Sequence, residues 1–371
     1  MFFYSLICFM KFISLLSNLK LLYNFFLFLA LINIFFSTGK GHAKTFSIND
    51  IEISTPFEIN FNKNEIIDAG FVKAFNELIL SIVQSKDQVK LKNTSINQIK
   101  GMIETFSIKE EKFIDEIYYL ALNVSFNKKK IFDLLETKNI FPSLPVKKDF
   151  LFIPILVDQN KNQVLMFSEN KLFSSWNLNN KKYSLLNYIL PTEDLDDFRL
   201  IKQNINILEN YDFKEIINKY NIKDYIIMIV FKDNNKIRVF NKIFFNQNNH
   251  LKNLNYTEVN FDDEEELFEF IYNLKLVYED FWKSQNQINT SVKLSLNISI
   301  DNSNNIKINK FENILYDMDL IYKFSIYKFD NQNNFYKVIF NGTPDKFLEV
   351  MSDYNYDFEI KNKIWVLNDK S

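Results

Sequence analysis

Glycine, histidine and cysteine are nearly missing from this 371-residue chain, which holds five Gly, two His and one Cys. Each scarcity removes a class of chemistry. A phosphate loop or a dinucleotide fingerprint needs glycines clustered within a few residues. Past residue 43 the glycines are Gly70, Gly101 and Gly342, far apart in the chain. Cys8 is the one thiol, so a cysteine-based zinc site and an internal disulfide are both excluded. The one histidine past residue 43 is His250, next to the polar run Asn246-Gln247-Asn248-Asn249, which reads as a solvated loop. That setting argues against a Ser-His-Asp triad. Arginine is scarce too, with Arg199 and Arg238 standing among many lysines. With 44 basic against 46 acidic side chains, nucleic acid is not an expected partner.

The abundance is apolar: 47% of the residues are hydrophobic, and 40 Phe and 18 Tyr supply surface for several cores. Its densest run lies at the N-terminus. Residues 1–36 carry Lys11 and Lys20 and no acid, and residues 21–36 (LLYNFFLFLALINIFF) are interrupted by two Asn alone. Gly41-His42-Ala43 follows as a small-x-small pattern. The segment reads as a signal peptide cleaved near Ala43 or as a retained anchor using residues 21–36 in the inner membrane. Cys8 precedes the apolar run, which is the wrong side for a lipoprotein cysteine. Cleavage removes Lys11, Lys20 and Lys40 and no acid, taking the net charge from −2 to −5.

The remainder predicts an α+β chain of two or three small α/β sandwich modules. Expected boundaries are 44–146, 147–284 and 285–371, set by Pro142 and Pro145 and by the polar linker 284–290. In the first module, 46–53 and 103–109 read as strands. Ile67, Phe71, Ala74, Phe75, Leu78 and Ile82 mark a helix, and strict alternation from Tyr118 to Phe126 marks a half-buried strand. In the second, the unbroken apolar run 150–157 reads as a strand covered on both faces. Strands 225–231 and 237–245 form a hairpin. Leu267, Phe270, Ile271, Leu274, Tyr278 and Phe281 mark a helix led by five acids, residues 262–266. The third module reads β-α-β-β-α-β, the ferredoxin-like order, with Thr343 capping a helix that begins at Pro344.

Carboxylates are the remaining candidates for chemistry. Glu193, Asp194, Asp196 and Asp197 crowd together after a strand end at Pro191. They could bind a divalent cation or supply an acid/base pair, as in a metal-assisted hydrolase, or they could be a solvated helix start. Residues 262–266 divide the same way and favour the helix start. Tyr322, Phe324, Tyr327, Phe329, Phe335, Tyr336 and Phe340 could form a stacking platform, but core packing accounts for them better. The same holds for Trp176, Trp282 and Trp365. No catalytic or cofactor-binding residue is assigned, and no cofactor is expected.

Several stretches together resemble one bacterial family of exported proteins, domain of unknown function 2066. They are AGFVKAFNELILSIV at 69–83, the hairpin end and helix YYLALNVSFNKKKIFDLLETKNI, the strand LFIPILV, LPTEDLDD, and Lys363-Ile364-Trp365-Val366-Leu367 at the end. The resemblance spans most of residues 46–367 and rests on order and spacing. This chain is poorer in Ala, Leu, Arg and Gly than the family, and it keeps only part of the Trp-Pro-rich pattern around 172–176. The resemblance implies an exported envelope protein whose partners are other envelope proteins, and it carries over no catalytic residue.

Overall fold

The computed structural model describes residues 45–369 apart from Asn235, Glu258 and Ser291. The expected export segment, including residues 21–36, lies outside the described residues. Among those described, no helix is long and apolar enough to cross a membrane. The chain is α+β, built on three sheets.

The first sheet has the order β1-β3-β2, all antiparallel, from β1 (Thr45–Pro56), β2 (Ile103–Ile114) and β3 (Ile117–Asn127). The alternation in β3 works as expected: Tyr118, Leu120, Leu122, Val124 and Phe126 are buried beneath helix α1 (Lys63–Ile82). Asn62 caps α1 by accepting from the Asn64 amide. Gly70 lies in the interior of α1, where glycine is normally unfavourable. A Cβ there would come within 2.4 Å of Leu122 Cδ1 and 2.8 Å of Ile53 Cδ1, so glycine lets the helix approach the sheet. Short helices α2 (Ser85–Gln88) and α3 (Ile96–Met102) and helix α4 (Lys128–Thr137) complete this unit. Helix α3 falls partly within a stretch whose polar composition hid it.

The second sheet is mixed. β4 (Lys148–Asp158) runs parallel to β7 (Tyr225–Asp233), followed antiparallel by β8 (Lys236–Phe245) and β9 (Asn248–Thr257). On its other side, β4 pairs at one end with β6 (Leu186–Ile189) and at the other with β5 (Gln163–Leu165). Both faces of β4 are buried, as its unbroken apolar run predicts. Phe150, Phe152 and Leu156 face helices α5 (Lys171–Ser175) and α8 (Glu264–Gln285). Leu151, Ile153, Ile155 and Val157 face the side of α6 (Leu195–Gln203) and α7 (Lys214–Ile217). Pro154 falls in the gap between the spans paired with β6 and β5, and buried Asn170 donates to its carbonyl at 3.2 Å.

The third sheet has the order β11-β12-β10-β14-β13. The expected sequence of elements is present as β10 (Lys293–Asp301), α9 (Asn305–Asp317), β11 (Ile321–Phe329), β12 (Asn333–Asn341), α10 (Pro344–Asp353) and β13 (Tyr356–Lys361). The chain then adds β14 (Ile364–Asp369), which inserts beside β10 and runs parallel to it. The all-antiparallel ferredoxin-like sheet thereby becomes mixed. Thr343 caps α10 with Pro344 at its first position, as expected.

Among the described residues, three hairpins turn through two residues, both with positive φ: Asp115-Glu116, Asn246-Gln247 and Asn362-Lys363. This is the type I′ loop that matches strand twist and usually ends in glycine. A glycine-poor chain uses Asp or Asn in the first position, where a short polar side chain tolerates the left-handed region.

The expected linker 284–290 is not free. Gln287 pairs with Ser143, the Ile288 amide donates to the Pro142 carbonyl at 2.7 Å, and Ile288 is buried in the first core. The Ser143 amide donates to the Ile82 carbonyl at 2.8 Å. Both connecting segments are therefore built into the first sheet's unit.

Candidate functional site

The acid cluster at 193–197 is consumed locally. Asp194 caps α6, accepting from the Asp196 and Asp197 amides at 2.8 and 3.2 Å. Lys219 bridges Asp194 at 2.7 Å and Asp197 at 2.6 Å. Glu193 accepts from the Ser168 amide at 3.0 Å, and Asp196 pairs with Arg199 at 3.0 Å. Two of the four carboxylates converge, and they converge on an ammonium that neutralises them. The Lys219 hydrogen bond, then the helix-start amides, hold the Asp194 carboxyl below its ordinary 3.8. Among the described residues, no group of three or more His, Cys, Asp or Glu is placed to hold a metal ion.

Asp197 is almost fully buried, and Lys219 is the side chain that pairs with it. Lys219→Met is expected to destabilise the chain by about 1–3 kcal/mol at pH 7, the cost of leaving a buried acceptor unpaired. A lowered Asp194 pKa contributes stability above 3.8 that is lost as pH falls through the folded-state value. Urea midpoints of wild type and variant should therefore converge below about pH 4.

Asp263 likewise caps α8, accepting from the Glu265 and Glu266 amides, so residues 262–266 are a helix start. His250 differs from its expected place. It lies in β9, facing α8, with its ring edge-on to Phe281 at 5.0 Å. Tyr336 and Phe340 are fully buried beneath the third sheet's helices, while Tyr327 and Phe329 stand exposed on edge strand β11. Trp176 and Trp282 are core, and Trp365 packs on Phe347.

One cavity of about 360 Å³ was not foreseen. It is assembled from segments about a hundred residues apart. Asn170 binds the Pro154 carbonyl and caps α5, accepting from the Leu172 amide at 3.0 Å. Helix α5 thus delivers Trp176 onto Phe152, stacked at 4.1 Å and 27°. Opposite, α8 presents Ile271, Tyr272, Lys275, Leu276 and Glu279, spacings that fall on one helical face. Tyr183 closes the cavity from the loop before β6.

Within it, Lys275 Nζ donates to Asn180 Oδ1 at 2.7 Å and lies 5.6 Å from the ring centres of both Trp176 and Tyr188. Among the described residues, no carboxylate lies within ion-pairing distance of it. Burial brings the Lys275 pKa down to about 8, against a weaker upward pull from Glu279. Glu279 is engaged elsewhere: its Oε1 accepts from the Leu185 and Leu186 amides at 2.9 and 3.0 Å. The Trp176 indole N–H and the Tyr188 hydroxyl are buried without a hydrogen-bond partner among the described residues.

No protein-family model matches the chain, and no curated protein matches it in sequence.

Proposed function

We propose that this protein is an exported component of the bacterial cell envelope that acts by binding other envelope proteins. Export is supported by the basic start, the apolar run 21–36 and the small-x-small pattern at 41–43. The periplasm is the proposed location, with retention at the inner membrane through residues 21–36 as the alternative. The resemblance to domain of unknown function 2066 supports the same reading.

The observation that carries the binding role is an exposed apolar patch on the first sheet. Phe57, Phe106, Ile108 and Phe113 are each between 40% and 57% exposed. All but Phe57 lie on β2, an edge strand exposed along nearly its whole length. Ring contacts order the patch, with Phe57 edge-on to Phe113 at 4.9 Å and Phe106 edge-on to Phe71 at 5.0 Å. Clustered, ordered apolar surface is the mark of a protein–protein contact. Bulges at Glu104 and Lys109 disturb the pairing register, which disfavours simple strand addition and favours recognition by side chains.

A photo-crosslinking residue placed at 113 in living cells is expected to capture one or a few envelope proteins. Phe57→Asp should abolish those adducts while moving the denaturation midpoint little, as for a surface site. Adducts no different from those at Ile306, which is 80% exposed elsewhere, would refute the role. Recovery of the protein in the cytosolic fraction would refute the location.

A further inference from the structure

The cavity beside Lys275 has a volume inside the range of about 300–1,000 Å³ typical of small-molecule sites. Its walls are Trp176, Tyr183, Phe268, Ile271, Tyr272 and Leu276. Such walls favour an apolar body, flat or aliphatic, that excludes water from the cavity.

The polar groups decide the sign of its charge. Lys275 holds an ammonium in this apolar setting with one amide oxygen and two ring faces as partners. An ammonium has three donors, and a charge partly withdrawn from water without a counter-charge is costly. Two carboxylates line the cavity: Glu279 already accepts the Leu185 and Leu186 amides, and Glu269 is exposed to solvent and makes no ion pair with Lys275 among the described residues. The Trp176 indole N–H, sealed within the wall, has no acceptor among the described residues and adds nothing to neutralise the ammonium. Lys275 thus has donors to spare, and a ligand carrying a negative group would complete the site.

We propose that this cavity binds a small amphipathic organic anion, its apolar body against Trp176 and the α8 wall and its acidic group at Lys275. The site goes beyond the envelope-binding role, because its residues are separate from the patch on β2.

A matched pair of fluorescent probes tests it: anilinonaphthalenesulfonate, an aromatic anion, and phenylnaphthylamine, its neutral counterpart. Both are titrated into the full chain. The sulfonate is expected to saturate at one per chain and to bind more tightly than the neutral probe. Lys275→Met should weaken the sulfonate about tenfold or more, the loss of one charge-assisted hydrogen bond, and leave the neutral probe within about twofold. Leu276→Trp, which fills the cavity with Lys275 intact, should block both.

The wild-type chain carries its own control should a variant fold poorly. The preference for the sulfonate should decline from about pH 8 to pH 10 as Lys275 loses its proton. Lys181, Tyr183, Glu269, Tyr272 and Glu279 also line the cavity, and Tyr188 faces Lys275. Tyr183 is pushed up to about 12, above that window. Where Lys275→Met folds, its preference should be flat over the same range. The proposal is overturned by equal binding of the two probes, by an unchanged sulfonate affinity in Lys275→Met, or by no saturable binding. It is also overturned if Leu276→Trp leaves binding intact, which would place the probe on another surface.

Discussion

Trp176→Ala should be the most damaging truncation around the second sheet, destabilising the fold by about 3–5 kcal/mol. The indole is fully buried and stacks on Phe152, with Tyr188 edge-on at 5.5 Å and Tyr278 tilted at 6.2 Å. These rings join α5, β4, β6 and α8, so the cavity left by alanine opens at the centre of one face of the sheet. Little can collapse into it, because β4 is held on both sides by other strands. Trp176→Phe separates packing from polarity. It keeps a ring on Phe152 and removes an indole N–H that has no acceptor among the described residues, a group whose burial costs about 1–3 kcal/mol. The phenylalanine variant should therefore lose less than its lost volume suggests, within about 2 kcal/mol. Urea denaturation followed by circular dichroism measures both. A midpoint for Trp176→Ala close to wild type would mean that the ring cluster does not hold this face together.

What could be read in advance follows from how strongly each element's local pattern reflects its surroundings. β4 was legible because both its faces are covered, which leaves no polar position to break the run. β3 was legible because one face is covered and alternation survives. The caps at Asp263 and Thr343 use side chains that bond the next turn, so their signal is entirely local. β9 was not legible. Its residues NNHLKNLNYT lie on an edge, held by an uninterrupted backbone ladder to β8, and a ladder leaves no mark on side-chain choice. The reading of Asn246 to Asn249 as a loop was right for Asn246 and Gln247, which form the turn, and wrong for the strand beyond. Asn362-Lys363 lacks the glycine that usually announces a hairpin, so the sequence shows no break between β13 and β14. The acid cluster gave its types but not its partner, since Lys219 lies 22 residues past Asp197. The cavity at Lys275 had no motif at all, because no two of its key groups, Trp176, Tyr183 and Lys275, share a secondary-structure element.

Lys283→Met should loosen the junction between the first two sheets more than any other single polar change. Lys283 is 3% exposed, yet its ammonium donates to the Leu80 carbonyl at 2.5 Å and the Val83 carbonyl at 3.1 Å. Those carbonyls belong to the C-terminal turn of α1 and its cap, the negative end of the helix dipole, where acceptors lack intrahelical donors. One cation at the end of α8 thus satisfies the end of α1. Asp280 reinforces the same junction by accepting from the Ser85 amide at 2.8 Å and from the Ser85 hydroxyl. Two effects oppose each other in the variant. Methionine removes the cost of burying an ammonium, which is real, since burial pulls the Lys283 pKa down against Glu279 and Asp280. It also strands the Leu80 carbonyl and leaves the Val83 carbonyl with the Gln88 amide alone, at 3.1 Å. Hydrogen bonds to a charged group contribute about 1.5–3 kcal/mol, so the lost bonds should win, with a net loss of about 2 kcal/mol. The pH dependence distinguishes this account from lost packing. With the folded pKa below the ordinary 10.5, the unfolded chain binds more protons between the two values, and wild-type stability gains with rising pH there. The variant has no such group at this site. Its deficit should therefore be larger at about pH 10 than at pH 7, whereas a packing defect would give the same deficit at both.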